Sequence, residues 1–118
     1  MIYDINKQRL PITTGTINEM EVIRSIKSEL IDSNRPIAKA IHKTDCGSTM
    51  CIGFNREMKL NEHVTHKPTT LLVLYGSIIY SEKAKTLQLD QLDQYKIPIS
   101  MPHTVEARED SMILLMQG

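Results

Sequence analysis

Two of the four histidines, His63 and His66, lie three residues apart in the segment LNEHVTHKPT (residues 60–69), just ahead of an apolar run. Imidazole is a common metal ligand, so a pair this close suggests a metal site. In a regular β-strand, however, residues 63 and 65 share a face and residue 66 points the other way. Only a bulge or a loop between the two histidines would turn both of them inward.

The two cysteines, Cys46 and Cys51, lie in the segment DCGSTMC (residues 45–51). A hairpin could bring them opposite each other, where a disulfide is geometrically possible. A zinc knuckle would need two more ligands at short spacing, and none follow. Because the expected location is the cytoplasm, free buried thiols are favoured over a disulfide.

Length and charge exclude several classes of protein. The 118 residues fit a single domain, and fourteen basic side chains balance fourteen acidic ones. No basic stripe with interleaved aromatic residues is present, so we expect no nucleic-acid partner and no anionic membrane surface. No apolar run reaches the roughly 18 residues of a membrane span, and the polar N-terminus is not a secretory signal. These features predict a cytoplasmic protein.

The first third of the chain predicts one helix. Residues 1–15 indicate an extended arm, and Thr16 with Glu19 forms a T-x-x-E capping box that marks a helix start. Apolar residues at helical spacing predict an amphipathic helix over residues 17–31. The segment SNRP ends it, and we expect the helix to pack as a cap on the main core. Residues 1–36 are thus assigned to an arm and a helix packed on a barrel of residues 37–118.

From residue 37 onward the apolar pattern changes to that of strands. Short strands separated by turn signals, with no helix between them, predict an antiparallel sandwich or closed barrel. The runs LLVL (residues 71–74) and MILLM (residues 112–116) lack alternation, which is typical of strands covered on both faces. We therefore expect a homodimer that buries one sheet. The predicted strands are 37–43, 49–55, 69–75, 77–82, 86–89, 94–98, 102–107 and 111–116.

Two segments of the second half resemble the cupin family of small β-barrels. They are LNEHVTHKPTTLLVLYGSI and LDQLDQYKIPISMPHTVEAREDSMILLM. The resemblance covers about residues 37–117, with both segments in the right order. It implies an all-β, antiparallel double-stranded β-helix, the cupin jelly-roll barrel, with one N-terminal amphipathic helix added.

The first cupin motif reads as a glycine, five residues, H-x-H, three or four residues, a glutamate, six residues and a glycine. Gly76 matches the final glycine, and counting back places His63 on the first histidine. The second histidine then falls on Thr65 and the glutamate on Thr69, while the leading glycine falls on Glu57.

The second motif reads as a glycine, five residues, P-x-G, two residues, a histidine, three residues and an asparagine. Pro98 matches the proline and His103 the histidine. The two glycines fall on Leu92 and Ser100, and the asparagine on Ala107.

In metal-binding members of that family, three histidines and a glutamate hold a divalent metal. The resemblance leaves this chain two of those ligands, His63 and His103, with His66 as the candidate replacement for a zinc, iron, manganese, nickel or copper site. A threonine hydroxyl is a weak ligand, and a site that lacks its carboxylate binds metal weakly. The sequence therefore favours the two histidines as polar pocket residues without a tightly bound metal.

Strand parity predicts which side chains share the interior with these two histidines. The lining is mostly apolar with a few polar groups, the usual profile of a small-molecule site. The predicted ligand-pocket residues are His63, Thr65, Thr69, Leu71, Val73, His103 and Val105.

Three functions stay open from the sequence. The first is a small cupin that binds a small molecule in the barrel interior. The second is a metal-dependent cupin enzyme, of dioxygenase or isomerase type, that uses His63, His103 and His66. The third is a degenerate barrel that serves as a dimerisation or interaction module. The catalytic residues cannot be assigned, and the absence of a glutamate at position 69 favours binding over catalysis.

Overall fold

The computed structural model describes residues 19–118, with side chains from Glu21 onward. The predicted arm over residues 1–15 and the capping residue Thr16 lie outside the described residues. The described chain contains one helix and nine strands: α1 Glu19–Leu30, β1 Ile37–Lys43, β2 Ser48–Phe54, β3 Lys59–His63, β4 Thr69–Tyr75, β5 Ser77–Glu82, β6 Lys85–Asp90, β7 Gln94–Ile97, β8 His103–Ala107 and β9 Ser111–Gln117.

The strands form two sheets in which every neighbouring pair is antiparallel. The five-stranded sheet has the order β1-β2-β9-β4-β7 and the four-stranded sheet the order β3-β8-β5-β6. The predicted all-β antiparallel architecture with one helix near the N-terminus is confirmed. All eight predicted strands are present, with each end within one residue of its predicted position.

One strand of the nine, β3, was not predicted from the sequence. Its residues KLNEH contain one apolar side chain, Leu60, and the strand lies at the edge of the four-stranded sheet. An edge strand with a mostly polar sequence has no alternation that distinguishes it from a loop. The omission matters because His63 is the last residue of this strand.

The inward faces of both sheets supply one hydrophobic core. Along β4 the side chains of Leu71 and Val73 are fully buried while their neighbours are less so, the alternation expected of a strand with one face on the core. Phe54, Ile78 and Tyr80 fill the middle of the interior. Because these large side chains are buried, the central part of the barrel is packed core.

Helix α1 covers part of the outer face of the five-stranded sheet. Ile26 and Leu30 pack on Cys51 and Met112 in a second apolar cluster. Gly53 allows this close approach, because a Cβ at that position would overlap the Ile26 side chain. The helix is thus a cap on the sheet. The division of the chain into residues 1–36 and a barrel of residues 37–118 stays a prediction.

Two polar contacts fix the position of this helix. Asn55 donates a side-chain hydrogen bond of 2.8 Å to the carbonyl oxygen of Leu30, which satisfies one of the free carbonyls at the helix C-terminus. Glu29 forms an ion pair with Lys39 of β1. No helix among residues 19–118 is both long and apolar enough to cross a membrane.

Both cysteines are free thiols in this structure. Cys46 is exposed in the β1–β2 turn, whereas Cys51 is fully buried under the helix. Burial raises the pKa of the Cys51 thiol to about 11, so it stays protonated and unreactive near neutral pH.

Candidate functional site

Two histidines and a glutamate lie in one row across three neighbouring strands. His63 of β3 pairs with His103 of β8, and His103 pairs with Glu82 of β5. A β-bulge puts Asn61 and Glu62 of β3 opposite a single residue of β8, which returns His63 to the same face as His103. The row lies at one end of the barrel, where β3 and β5 end and β8 begins.

The two imidazole rings are in direct contact, with centroids 4.1 Å apart and planes at 61°. In each ring, Nδ1 lies 2.9 Å from the carbonyl oxygen of the residue two positions earlier, Asn61 for His63 and Met101 for His103. A carbonyl oxygen only accepts, so both Nδ1 atoms must donate. In the neutral rings this leaves both Nε2 atoms as acceptors, and neither has a protein hydrogen-bond partner among the described residues.

Two tyrosines surround the glutamate of the row. The Tyr80 hydroxyl donates to Glu82 Oε2 at 2.7 Å, and the Tyr95 hydroxyl lies 3.3 Å from both carboxylate oxygens. The ring of Tyr80 stacks on His103 with centroids 5.4 Å apart and packs on Tyr95 at 4.8 Å. Five side chains from four strands therefore form a continuous group: His63, Tyr80, Glu82, Tyr95 and His103.

Burial decides the charge of the central histidine. His103 is 1% exposed, and this burial is the main reason that its pKa lies below the usual 6.5. The carbonyl of Met101 and the carboxylate of Glu82 favour the charged form but do not reverse the shift. Burial, and then the hydrogen bond to Glu82, raise the pKa of Tyr80, so its hydroxyl remains a donor.

The lowered pKa of His103 predicts a loss of stability in mild acid. The unfolded chain takes up the proton more readily than the folded one, so the contribution of His103 is fully present above pH 6.5 and is lost as the pH falls through its folded-state pKa. Melting temperatures between about pH 5 and pH 8 are expected to fall toward acid in the parent protein and to fall less in His103→Gln.

The control for this experiment is His42→Gln on β1, since His42 is exposed. Glu29 and Asp90 have pKa values below 4.5 and 3.8, so their contributions are lost only at lower pH. Equal pH slopes for the parent, His42→Gln and His103→Gln would contradict the assignment of the slope to His103.

The predicted pocket residues fall into two groups. Leu71, Val73 and Val105 are 0–1% exposed and belong to the hydrophobic core, so they pack on protein atoms. The four polar residues, His63, Thr65, Thr69 and His103, lie toward the end of the barrel. The Thr69 hydroxyl donates to the carbonyl of Lys67 at 2.9 Å. Thr65 is 4% exposed, and its buried hydroxyl has no hydrogen-bond partner among the described residues.

The three-histidine metal site that the sequence left open as an alternative is not assembled among the described residues. His66 is exposed, as the parity of an extended chain predicts, and the bulge that reorients the segment precedes His63 and does not follow it. Within residues 19–118 no three His, Cys, Asp or Glu side chains are close enough together to hold a metal ion. Thr65 and Thr69 occupy the other two ligand positions of the motif, so the residues present do not fit a metal centre.

Sequence reasoning missed Tyr80, Glu82 and Tyr95. In SIIYSE the residues Ile78, Tyr80 and Glu82 alternate onto one face, and this face is the buried one. A carboxylate at an inward position of a strand is unusual, and that was the available signal. Tyr95 comes from the opposite sheet, so only the folded structure brings it to the glutamate.

A surface pocket of about 410 Å³ adjoins the row at Glu82. It lies at the end of β5 and the start of β8 and shares Glu82 with the row, whereas His63 and His103 are not in its lining. Its lining consists of Glu62, Ser81, Glu82, Lys83, Met101, Pro102 and Thr104.

The backbone supports the alignment with the two motifs. Among the described residues, three that are not glycine have a positive φ: Glu57 at 73°, Leu92 at 68° and Ser100 at 62°. These are the three positions at which the motifs have glycine. Gly76, the matched final glycine, has a φ of 89°. The chain therefore keeps the turns of the motifs although it has lost three of their glycines.

Comparisons with known proteins identify the fold. No protein-family model and no curated protein matches the chain. A cupin superfamily protein from Desulfitobacterium hafniense matches with a TM-score of 0.68 and 16% identity, over 72% of this chain and 78% of that one. KdgF from Halomonas sp. matches with a TM-score of 0.64 and 18% identity, over 72% and 79% of the two chains.

Salicylate 1,2-dioxygenase from Pseudoaminobacter salicylatoxidans is similar over 83% of this chain but 31% of its own, with a TM-score of 0.75 and 10% identity. The chain thus corresponds to less than a third of that enzyme. At these identities the likeness shows the fold alone, a cupin-type jelly-roll barrel.

Proposed function

We propose that this cupin-fold chain binds a small organic molecule at the end of its barrel, where His63, His103 and Glu82 lie side by side. The observation that carries the proposal is the pair of contacting imidazoles whose Nδ1 atoms both donate to backbone carbonyls. Each ring is thereby fixed in orientation, and each keeps an acceptor nitrogen for a partner from outside the protein.

Unpaired polar groups at this end support binding over a purely structural role. A buried polar atom without a partner costs about 1–3 kcal/mol, so aliphatic side chains would make a more stable plug. The chain instead places the buried Thr65 hydroxyl in this region without a partner among the described residues, together with two imidazoles whose Nε2 atoms have no protein partner there. The adjoining pocket of about 410 Å³ is within the range of small-molecule sites.

A metal-dependent enzyme has less support, because no group of three ligands forms among the described residues. The cytoplasmic location and the homodimer expected from the sequence remain part of the proposal. Leu72 and Leu114 on the outer face of the five-stranded sheet are partly exposed, and a second copy would cover them. Light scattering at low micromolar concentration measures this mass directly.

The test of binding uses a panel of small amines, alcohols and carboxylates, followed by NMR of the histidine side chains. We expect at least one class to shift the imidazole signals of His63 and His103 while those of exposed His42 stay unchanged. His63→Gln should weaken that binding about tenfold, which corresponds to ~1.4 kcal/mol.

The matched control is His66→Gln, since His66 lies three residues from His63 and is exposed. It is expected to bind as the parent does. The proposal fails if no member of the panel perturbs the His63 and His103 signals, or if the His66 variant loses as much affinity as the His63 variant.

A further inference from the structure

We infer that the row at the barrel end selects a ligand that carries a protonated amine, with Glu82 as the anionic partner of that ammonium group. This inference rests on the proposed function and adds the chemical class of the ligand. It is carried by the hydrogen-bonding capacity of the row, by the charge of Glu82 and by the pocket that adjoins it.

The row offers acceptors and almost no donors. Both imidazole Nδ1 protons are committed to backbone carbonyls, which leaves the two Nε2 atoms to accept. The hydroxyl protons of Tyr80 and Tyr95 are committed to Glu82. A ligand that satisfies these atoms must therefore bring the donors, and an ammonium group brings three N–H donors and no acceptor.

Glu82 is a partly buried carboxylate with no ion pair in the described part of the chain. Its hydrogen bonds come from two neutral hydroxyl groups, so no charged group of the described chain contacts the carboxylate directly. Glu82 is paired with buried His103 on one side, which is neutral near neutral pH, and with Lys85 on the other, whose Nζ forms no ion pair with it among the described residues. A cation bound beside Glu82 would compensate this charge, whereas a carboxylate ligand would add a second negative charge.

The surroundings of Glu82 are suited to a cation in two further respects. The adjoining pocket has two carboxylates in its lining, Glu62 and Glu82, against one ammonium, Lys83. The ring of Tyr95 already has the Lys85 Nζ atom 5.5 Å from its centroid, a cation–π arrangement at the edge of the row. The nearby Lys83 and Lys85 are exposed and form no ion pair with Glu82 among the described residues.

The experiment compares amines, alcohols and carboxylates that share a carbon skeleton, using several skeletons of sugar, cyclohexyl and short-chain type. Titrations at about pH 8 keep imidazoles neutral and aliphatic amines protonated. Within every group of compounds that share a skeleton and bind at all, we expect the amine to bind most tightly and the carboxylate most weakly. Glu82→Gln should weaken amine binding about tenfold and weaken alcohol binding by a clearly smaller factor.

The matched control is Glu106→Gln, which removes a carboxylate from the exposed face of β8. It should leave the order of affinities unchanged, and the melting temperatures of both variants establish that they fold. Tightest binding of an alcohol or a carboxylate, or equal amine affinities in Glu82→Gln and the parent, would overturn the inference while the proposed function stands. If no compound of any charge binds, the proposed function itself fails.

Discussion

Gly76→Ala is expected to lower the melting temperature by roughly 10 °C. Gly76 joins β4 in one sheet to β5 in the other and has a φ of 89°. An L-residue in this region costs about 1–2 kcal/mol. A Cβ would also overlap the Ser111 hydroxyl and the carbonyl oxygen of Asp110, and relieving such overpacking costs a further 1–3 kcal/mol or so.

The clash involves backbone, and therefore cannot be relieved by a side-chain rotation alone. Ser111 is 1% exposed, and its hydroxyl accepts a hydrogen bond of 3.0 Å from the Ser77 amide, so a displaced Ser111 would break this contact between the two sheets. The effect should reach the row as well, because β5 carries Tyr80 and Glu82. Weaker ligand binding should accompany the loss of stability.

Gly53→Ala is the matched comparison for this variant. Its added Cβ would meet the side chains of Ile26 and Leu30, which can move with the helix, and it has no positive φ. Thermal unfolding followed by circular dichroism should show a clearly smaller drop for Gly53→Ala. A Gly76→Ala protein that melts within about 2 °C of the parent would mean that this turn is not the one in the structure.

The local patterns of the sequence predict most of the fold. Alternating apolar residues and turn signals give eight of nine strands, because strands with a buried face repeat every two residues. β3 escapes this rule because Leu60 is its one apolar residue. Parity also places His66 on the face opposite to His63, and in the structure His66 is exposed.

The site is less accessible to sequence reasoning, since it depends on which strands are neighbours. His63, Glu82 and His103 are separated by about twenty residues each along the chain, and only the order β3-β8-β5 brings them into one row. The bulge before His63 sets the direction of its side chain, and no local signal in KLNEH specifies that bulge. The spacing of the histidines therefore predicts two of the five side chains of the group and gives no sign of the carboxylate.

The three positive-φ residues predict a stabilised variant. Glu57, Leu92 and Ser100 adopt a backbone conformation that costs an L-residue about 1–2 kcal/mol, whereas glycine adopts it freely at an entropic cost of about 0.5–1 kcal/mol. Each replacement by glycine should gain roughly 0.5–1 kcal/mol, and the three together about 2 kcal/mol. All three side chains are exposed, so little buried contact is lost.

The measurement is the midpoint of denaturant unfolding for the triple variant and for each single replacement. Gln91→Gly is the control, since Gln91 is an exposed neighbour of Leu92 in the same turn and has no positive φ. There glycine should destabilise by about 0.5–1 kcal/mol, because it adds only freedom to the unfolded chain. A gain in stability for Leu92→Gly and a loss for Gln91→Gly would show that this turn has the backbone conformation of the motif glycine. A loss of stability at Leu92 equal to that at Gln91 would instead remove the structural basis for aligning this chain with the cupin motifs.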